Sequence, residues 1–195
     1  MARLEDIQAG GANKIVRAHE TDPSLVRCEF RRKDPSVRGT FLLQKIANIF
    51  FPEIVPRPVS FGQEQSTGKF YMDVERVALD AKHLRLYHPP EEANAHELEY
   101  YYKRYRDSSD EGKRIEALFE EAGFPFDSTS ANFTLAENKI RHIDTSPPWL
   151  FEDPRSGHKS YDEKKLRAKI ASISDPAQRE EAADALREII NMENK

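Results

Sequence analysis

The chain contains 195 residues, of which 38% are hydrophobic and 33% are charged, so it can form one or two domains around a modest core. Thirty basic and 34 acidic residues give a net charge of −4, and the two signs are interspersed. This balance argues against nucleic acid and against an anionic membrane as partners. No apolar run reaches the roughly 18 residues of a membrane span, and the N-terminus lacks a signal-peptide pattern. A soluble, cytoplasmic protein is expected.

Strands with one helix among them are predicted for residues 1 to 85, which would form a small lobe. Segments 14 to 20 and 24 to 32 flank the turn-forming sequence TDP, which predicts an antiparallel hairpin. The second strand alternates apolar and charged side chains, so one face is expected to pack while the other stays polar. Cys28, the single cysteine, lies on the apolar face and is predicted to be buried.

A helix is predicted to follow at residues 39 to 51. Its apolar positions have the spacing of one helix face, and Pro52 marks its end. Segments 55 to 62 and 69 to 77, joined by the turn sequence QEQSTG, then predict a second strand pair. The helix should pack on the sheet that these strands form.

A second lobe, which is helical and reduced in size, is predicted at residues 86 to 157. Two consecutive prolines near its start interrupt regular structure. Helical periodicity then covers residues 93 to 106 and 110 to 122, and Gly123 stands at the usual stop position of the second helix.

The remaining residues, 158 to 195, are predicted to form a C-terminal extension. It contains two helices, at about 161 to 172 and 175 to 192, and Asp175 is placed to cap the second of them. The amphipathic pattern of these helices permits two roles, which are covering the core and binding a protein partner.

Three oxygen-bearing side chains, Asp127, Asn132 and Asp144, are the candidate functional residues. The sequence FTLAENKIRHID, which runs from residue 133 to residue 144, is predicted to form a β-hairpin. Because the two arms of a hairpin end side by side, the return strand should bring Asp144 towards Asn132. Hard divalent cations such as Mg²⁺ prefer oxygen ligands and share their coordination with water and phosphate oxygens. The pattern predicts a metal and phosphate site, whereas a turn stabilised by the Asp127 side chain is the alternative.

These residues resemble the protein-kinase-like superfamily. The sequences DSTSAN and NKIRHID are similar to its catalytic loop and its metal-binding strand. Upstream, the strand pair, helix and second strand pair are similar to its small nucleotide-binding lobe. The resemblance covers roughly residues 7 to 146. It implies an α+β fold of two lobes, with ATP and Mg²⁺ bound between a small antiparallel sheet that carries one helix and a reduced helical lobe.

The resemblance also implies a role for each of the three side chains. Asp127 would accept a proton from the hydroxyl group that attacks the phosphate, and Asn132 and Asp144 would hold the metal ions. The reaction would be phosphoryl transfer from ATP, with a small molecule as the expected acceptor.

The nucleotide-binding residues follow the family pattern less closely. The candidate for the glycine-rich loop is AGGAN, with Gly10 and Gly11, although two adjacent glycines also suit an ordinary turn. The strand lysine of the family has no secure match. One of three nearby basic residues is predicted to supply the charge that holds a phosphate: Arg27, Arg31 or Lys33.

Other positions depart from the family pattern. Glu29 falls near the position of the strand lysine, and Gln44 stands where the helix glutamate is expected. Thr145 and Ser146 replace the Phe-Gly that follows the second aspartate. These departures argue against an ordinary protein kinase. They leave a pseudokinase-type binding or interaction module, without phosphoryl transfer, as the alternative function.

Overall fold

The computed structural model of the chain describes residues 9–10, 14–31, 33, 37–77, 110–124, 133–136, 139–142 and 161–193. The chain divides into two compact units, of which the first is Met1–Arg76 with Asp184–Lys195 and the second is Val77–Ala183. The helix predicted at 93 to 106 lies outside the described residues. The predicted lobe boundaries at residues 85 and 157 stay predictions.

The first unit contains a five-stranded antiparallel sheet. In chain order its strands are β1 (Ala9–Gly10), β2 (Lys14–Ala18), β3 (Leu25–Phe30), β4 (Pro58–Gln63) and β5 (Phe70–Glu75). Their order in the sheet is β1-β2-β3-β5-β4, and every neighbouring pair is antiparallel. Both predicted strand pairs are confirmed, and they belong to one sheet.

Helix α1 (Arg38–Phe50) follows β3 and precedes β4. Its apolar residues have the predicted spacing, and Leu43 and Ile46 are completely buried. Burying a side chain of this size contributes about 2 kcal/mol. Phe41 packs against Phe61 of β4, with the ring centroids 5.7 Å apart. The prediction that this helix packs on the sheet is therefore confirmed.

The two faces of the sheet differ in polarity. Cys28 of β3 pairs in register with Met72 of β5, and both are buried on the side that α1 covers. The neighbouring pair, Arg27 and Asp73, lies on the opposite side, because successive residues of a strand alternate between faces. We call the first side the helix-side face and the second the outer face. The predicted burial of Cys28 is confirmed.

In the second unit, helix α2 (Asp110–Ala122) ends at Gly123, as predicted. The N–H of Gly123 donates to the carbonyl of Glu120 at 3.2 Å, and the N–H of Phe124 donates to the carbonyl of Phe119 at 2.9 Å. These two bonds form a Schellman motif, which satisfies carbonyls that the helix end would otherwise leave unpaired. The rings of Phe119 and Phe124, 6.0 Å apart, add the apolar contact that accompanies such a motif.

Helix α3 (Glu163–Ala171) is bonded to the end of α2. The N–H of Asp162 donates to the carbonyl of Gly123 at 2.9 Å, and the Asp162 carboxylate caps α3 by accepting from the N–H of Lys165 at 3.0 Å. The Lys165 ammonium group in turn donates to the carbonyl of Glu120 at 3.0 Å. The end of α2 and the start of α3 therefore hold each other in place.

Helix α4 (Pro176–Glu193) is the longest helix among the described residues. The Asp175 carboxylate accepts from the N–H groups of Ala177 and Gln178 at 2.8 and 3.1 Å, so the predicted cap is confirmed. From Asp184 onwards the helix belongs to the first unit. There Glu188 forms an ion pair with Arg38 at the start of α1.

A separate two-stranded hairpin lies in the second unit, formed by β6 (Phe133–Ala136) and β7 (Lys139–His142). It confirms the hairpin predicted from the sequence. With its antiparallel sheet and helices, the chain is of the α+β class, as predicted. Within the described part of the chain, no helix has both the length and the apolar character needed to cross a bilayer.

Candidate functional site

The structure describes only part of the predicted site. The described part consists of Gly10 and the three basic residues Arg27, Arg31 and Lys33. The other predicted site residues, Gly11, Asp127, Asn132 and Asp144, lie outside the described residues. Their roles stay predictions. The described elements next to them in sequence are the β6–β7 hairpin and the end of β1.

The β6–β7 hairpin fixes the points at which the chain enters and leaves it. Phe133, the first residue of β6, pairs in register with His142, the last residue of β7. Opposed Cα atoms in antiparallel strands lie about 4.5 to 5.5 Å apart. Asn132 immediately precedes this pair of strand ends in sequence, and Asp144 follows it by two residues. The hairpin therefore places side by side the two strand ends that are nearest to Asn132 and Asp144 in sequence, and a metal site shared by these two residues stays a prediction.

Gly10 ends β1, directly before the short connection to β2. The two strands are antiparallel, and Gly10 pairs with Ile15. The sequence AGGAN thus joins two hydrogen-bonded strands. This arrangement is required if the segment covers a phosphate group, and it is equally compatible with an ordinary hairpin turn.

Arg27 lies on the outer face of the sheet and is bound to Asp73. Its Nε donates to Asp73 Oδ1 at 2.8 Å, and its Nη2 donates to Oδ2 at 3.1 Å. The guanidinium carbon lies 4.0 Å from the ring centroid of Tyr71. The two hydrogen bonds form the bidentate geometry in which arginine binds a carboxylate most strongly. The pairing gives Arg27 a structural role, and nucleotide binding by this residue stays a prediction.

Asp73 is the buried centre of this cluster, since its side chain is only 7% exposed. It also accepts a hydrogen bond from the Ser60 hydroxyl at 2.7 Å, and His19 Nε2 lies 3.7 Å from its Oδ2. Burial raises the pKa of Asp73, but the hydrogen bonds from Arg27 and Ser60 and the charges of Arg27 and His19 outweigh it. The pKa of Asp73 is therefore lower than its ordinary value, and the carboxylate stays charged.

The other two predicted phosphate-binding residues, Arg31 and Lys33, follow the end of β3. Both are exposed. Neither residue belongs to a strand of the sheet, since β3 ends at Phe30. Their role in nucleotide binding stays a prediction.

Gln44, which the resemblance predicts to stand at the position of the family's helix glutamate, bonds to the loop between α1 and β4. Its Nε2 donates to the carbonyl of Pro56 at 3.1 Å, and Asn48, one turn further along, donates to the carbonyl of Val55 at 2.7 Å. Gln44 is 1% exposed, and its Oε1 has no hydrogen-bond partner among the residues that the structure describes. The amide group of Gln44 therefore helps to hold this loop against α1.

Lys14 is a buried basic residue that the sequence pattern did not reveal. It is the first residue of β2, it pairs in register with Phe30, and it is 6% exposed. Lysine is almost never buried to this extent without a specific reason. The pairing with Phe30, an apolar residue of the helix-side face, is the signal from which this burial could have been inferred.

Among the residues that the structure describes, no group of three or more histidine, cysteine, aspartate or glutamate side chains is arranged to hold a metal ion. The chain matches no protein-family model and no curated protein.

Proposed function

We propose that the protein is an atypical kinase-like phosphotransferase that binds ATP with Mg²⁺ and transfers the γ-phosphoryl group to a small molecule. The observation that carries this proposal is the register of the β6–β7 hairpin. Because Phe133 pairs with His142, the strand ends that lie one residue from Asn132 and two residues from Asp144 in sequence are side by side. An amide and a carboxylate supplied from such a position suit Mg²⁺, which binds few protein ligands and shares the rest with phosphate and water.

Each of the three side chains has a defined task in this proposal. Asn132 and Asp144 would hold the metal ion, which would supply positive charge to neutralise the phosphate oxygens. Asp127 orients the hydroxyl group of the acceptor and takes its proton as the new oxygen–phosphorus bond forms. The bond between the γ-phosphorus and the bridging oxygen breaks at the same time, so ADP leaves with the electron pair.

The first unit supports the same proposal. Its helix α1 lies between β3 and β4 in sequence and covers one face of an antiparallel sheet. The resemblance to the protein-kinase-like superfamily implies such a sheet with one helix for the nucleotide-binding lobe. The position of Gly10 at a strand end, followed by a short connection to the next strand, suits a loop that covers phosphate groups.

A binding or interaction module without transfer is the second candidate, and two observations favour it. Arg27 is bound to Asp73, and Gln44 donates to the carbonyl of Pro56. Neither residue is available, in this arrangement, to form the lysine–glutamate pair on which the family depends for efficient transfer. This candidate predicts nucleotide or protein binding without loss of the γ-phosphate.

Thermal unfolding in the presence of nucleotide tests the proposal. Millimolar ATP with Mg²⁺ should raise the unfolding temperature, because a ligand that binds only the folded state stabilises it by mass action. Chelation of Mg²⁺ with EDTA should remove most of the increase, and Mg²⁺ alone should have little effect. The absence of any increase with millimolar ATP and Mg²⁺ would contradict the proposal and would favour the interaction module.

A further inference from the structure

His19 directly follows strand β2, where the chain enters the turn to β3, and its imidazole ring has partners on both sides. On the side of the turn, Nδ1 accepts hydrogen bonds from the N–H groups of Asp22 at 3.1 Å and of Thr21 at 3.4 Å. On the side of the sheet, Nε2 lies 3.7 Å from Oδ2 of Asp73. The side chain is 15% exposed, so the ring is held between the turn and the outer face of the sheet.

The two bonds to the turn define the protonation state of the ring. A ring nitrogen accepts a hydrogen bond only through a free lone pair, so Nδ1 carries no proton in this arrangement. The single proton of the neutral ring is then on Nε2, the nitrogen that faces the Asp73 carboxylate. The closed turn therefore requires the neutral form of His19.

Protonation of His19 would act on the two sides in opposite directions. An imidazolium ion has an N–H group on each nitrogen and accepts no hydrogen bond. The new proton on Nδ1 would point at the N–H groups of Thr21 and Asp22, so both bonds to the turn would be lost. The positive charge would at the same time strengthen the contact of Nε2 with the Asp73 carboxylate. One proton taken up from water would thus release the turn and hold the ring at the sheet.

The sheet side of the ring carries a carboxylate that is shared by three strands. Asp73 of β5 binds Arg27 of β3 through two hydrogen bonds and accepts a third from Ser60 of β4. These hydrogen bonds outweigh burial and lower the pKa of Asp73. The carboxylate is therefore ionised above about pH 5 and can receive a positive charge from His19. The charge of Arg27 opposes that of the imidazolium ion, but Arg27 is itself neutralised by Asp73.

The turn side carries a second carboxylate. Hydrogen bonds from the hydroxyl and the N–H of Ser24 lower the pKa of Asp22, and Glu20, next to His19 in sequence, is exposed. Both acidic residues keep their charge between pH 8 and pH 5. Histidine is the side chain whose charge ordinarily changes in that range. A change in the turn over this range would therefore report on His19.

The second half of the turn is held without His19. The N–H of Leu25 donates to the carbonyl of Asp22 at 3.1 Å, and the N–H of Arg76 donates to the carbonyl of Ser24 at 2.8 Å. The Asp22 carboxylate accepts from the N–H and the hydroxyl of Ser24 at 2.8 and 2.6 Å. Loss of the bonds to His19 would therefore free only the residues between His19 and Asp22.

We propose that His19 is a pH-sensitive switch, whose protonation opens the first half of the β2–β3 turn while the ring stays bound to Asp73. The N–H groups of Thr21 and Asp22 become available to solvent in the protonated form. The switch operates whether or not the protein binds a nucleotide.

Nuclear magnetic resonance of the full, ¹⁵N-labelled chain tests the proposal. At pH 8 a scalar coupling across the N–H···N bond should connect the Asp22 amide with Nδ1 of His19, and this coupling should be absent at pH 5. Hydrogen exchange of the Asp22 amide, divided by its intrinsic rate at each pH, should be about fivefold to tenfold faster at pH 5, because one hydrogen bond is lost. The amides of Leu25 and Arg76 are the internal control and should keep their protection.

Two substitutions of His19 separate acceptance of the bond from titration. The carbonyl oxygen of an asparagine side chain can accept in place of Nδ1 and does not titrate, so His19→Asn should keep the Asp22 amide protected at both pH values. His19→Phe keeps a ring without an acceptor, so the Asp22 amide should exchange rapidly at both.

Either of two results would overturn the inference. One is an Asp22 amide that stays bonded to Nδ1 and protected at pH 5 in the unmodified protein. The other is a loss of protection on acidification that is as large in His19→Asn as in the unmodified protein, since another group would then cause it. The coupling measured in the unmodified protein decides the question even if neither variant folds.

Discussion

Replacement of Arg27 by methionine is expected to destabilise the fold by about 3 kcal/mol at pH 7, because it leaves a buried carboxylate without its partner. Asp73 is 7% exposed and Arg27 is 31% exposed, so the carboxylate that loses its arginine, while it keeps the hydrogen bond from Ser60, is the group that water reaches least. Methionine keeps much of the volume of the arginine stem, which limits the loss of packing. Urea denaturation at pH 7 measures the difference.

The loss of stability caused by Arg27→Met should decrease as the pH falls. In the unmodified protein the pKa of Asp73 lies below its ordinary value of 3.8, so its contribution to stability is present above that value and is lost as the pH falls through the lowered pKa. Without Arg27, its hydrogen bonds and its charge no longer lower the pKa of Asp73, so this pKa should be higher in the variant than in the unmodified protein. The difference in stability between the two proteins should therefore narrow as the pH falls from the pKa of Asp73 in the variant towards the lowered pKa in the unmodified protein.

Arg17→Met is the matched control for this prediction. Arg17 lies opposite Arg27 on β2, and its Nε is 3.3 Å from Glu29 Oε1, but its side chain is 51% exposed. An exposed ion pair contributes at most about 1 kcal/mol. Two results would show that the stability of buried Asp73 does not depend on Arg27. One is a loss of stability from Arg27→Met no larger than that from Arg17→Met, and the other is a loss that does not decrease on acidification.

Gly123→Ala is the second substitution with a large expected effect, about 3 kcal/mol of lost stability. Gly123 has φ of 80°, a left-handed conformation that costs an alanine about 1 to 2 kcal/mol. A Cβ atom there would also lie 2.7 Å from the Asp162 carbonyl oxygen and 2.7 Å from Lys165 Cβ. Backbone atoms cannot move aside cheaply, so the change should disrupt the bonds between the ends of α2 and α3 as well.

Gly68→Ala separates the two contributions. Gly68 has φ of 68° in the turn between β4 and β5, but the nearest atom to an added Cβ is 3.9 Å away. The Gly68→Ala variant should therefore lose only about 1 to 2 kcal/mol of stability, which is what the left-handed conformation costs an alanine. Thermal unfolding of both variants measures the difference, and equal losses would show that Asp162 does not obstruct a side chain at Gly123.

Local signals in the sequence were sufficient to predict most of the described fold. The spacing of apolar residues identified α1. The alternation of apolar and charged residues identified β3 and its buried Cys28. The glycine at 123 and the aspartate at 175 marked a helix end and a helix start through backbone hydrogen bonds that those residue types make readily. Each of these features depends on residues within one or two turns of each other.

The partners of charged side chains could not be predicted in the same way. Alternation placed Arg27 on a polar face, but Asp73, 46 residues away, became its partner through the pairing of β3 with β5. The burial of Lys14 likewise depends on its pairing with Phe30. For the candidate site, the sequence predicted the β6–β7 hairpin and hence the register beside Asn132, whereas the roles of the oxygen-bearing side chains remain proposals.

The most direct test of the proposed function is the release of the γ-phosphate of ATP by the full chain with Mg²⁺, with water in place of the unidentified acceptor. The unmodified protein should release phosphate, and Asp144→Asn should reduce the rate about a hundredfold, because the amide removes the charge of a metal ligand. Asp184→Asn, the same change at an exposed position on α4, should leave the rate unchanged. Equal rates for the unmodified protein and Asp144→Asn, or no release from protein that binds MgATP, would contradict the assignment as a phosphotransferase.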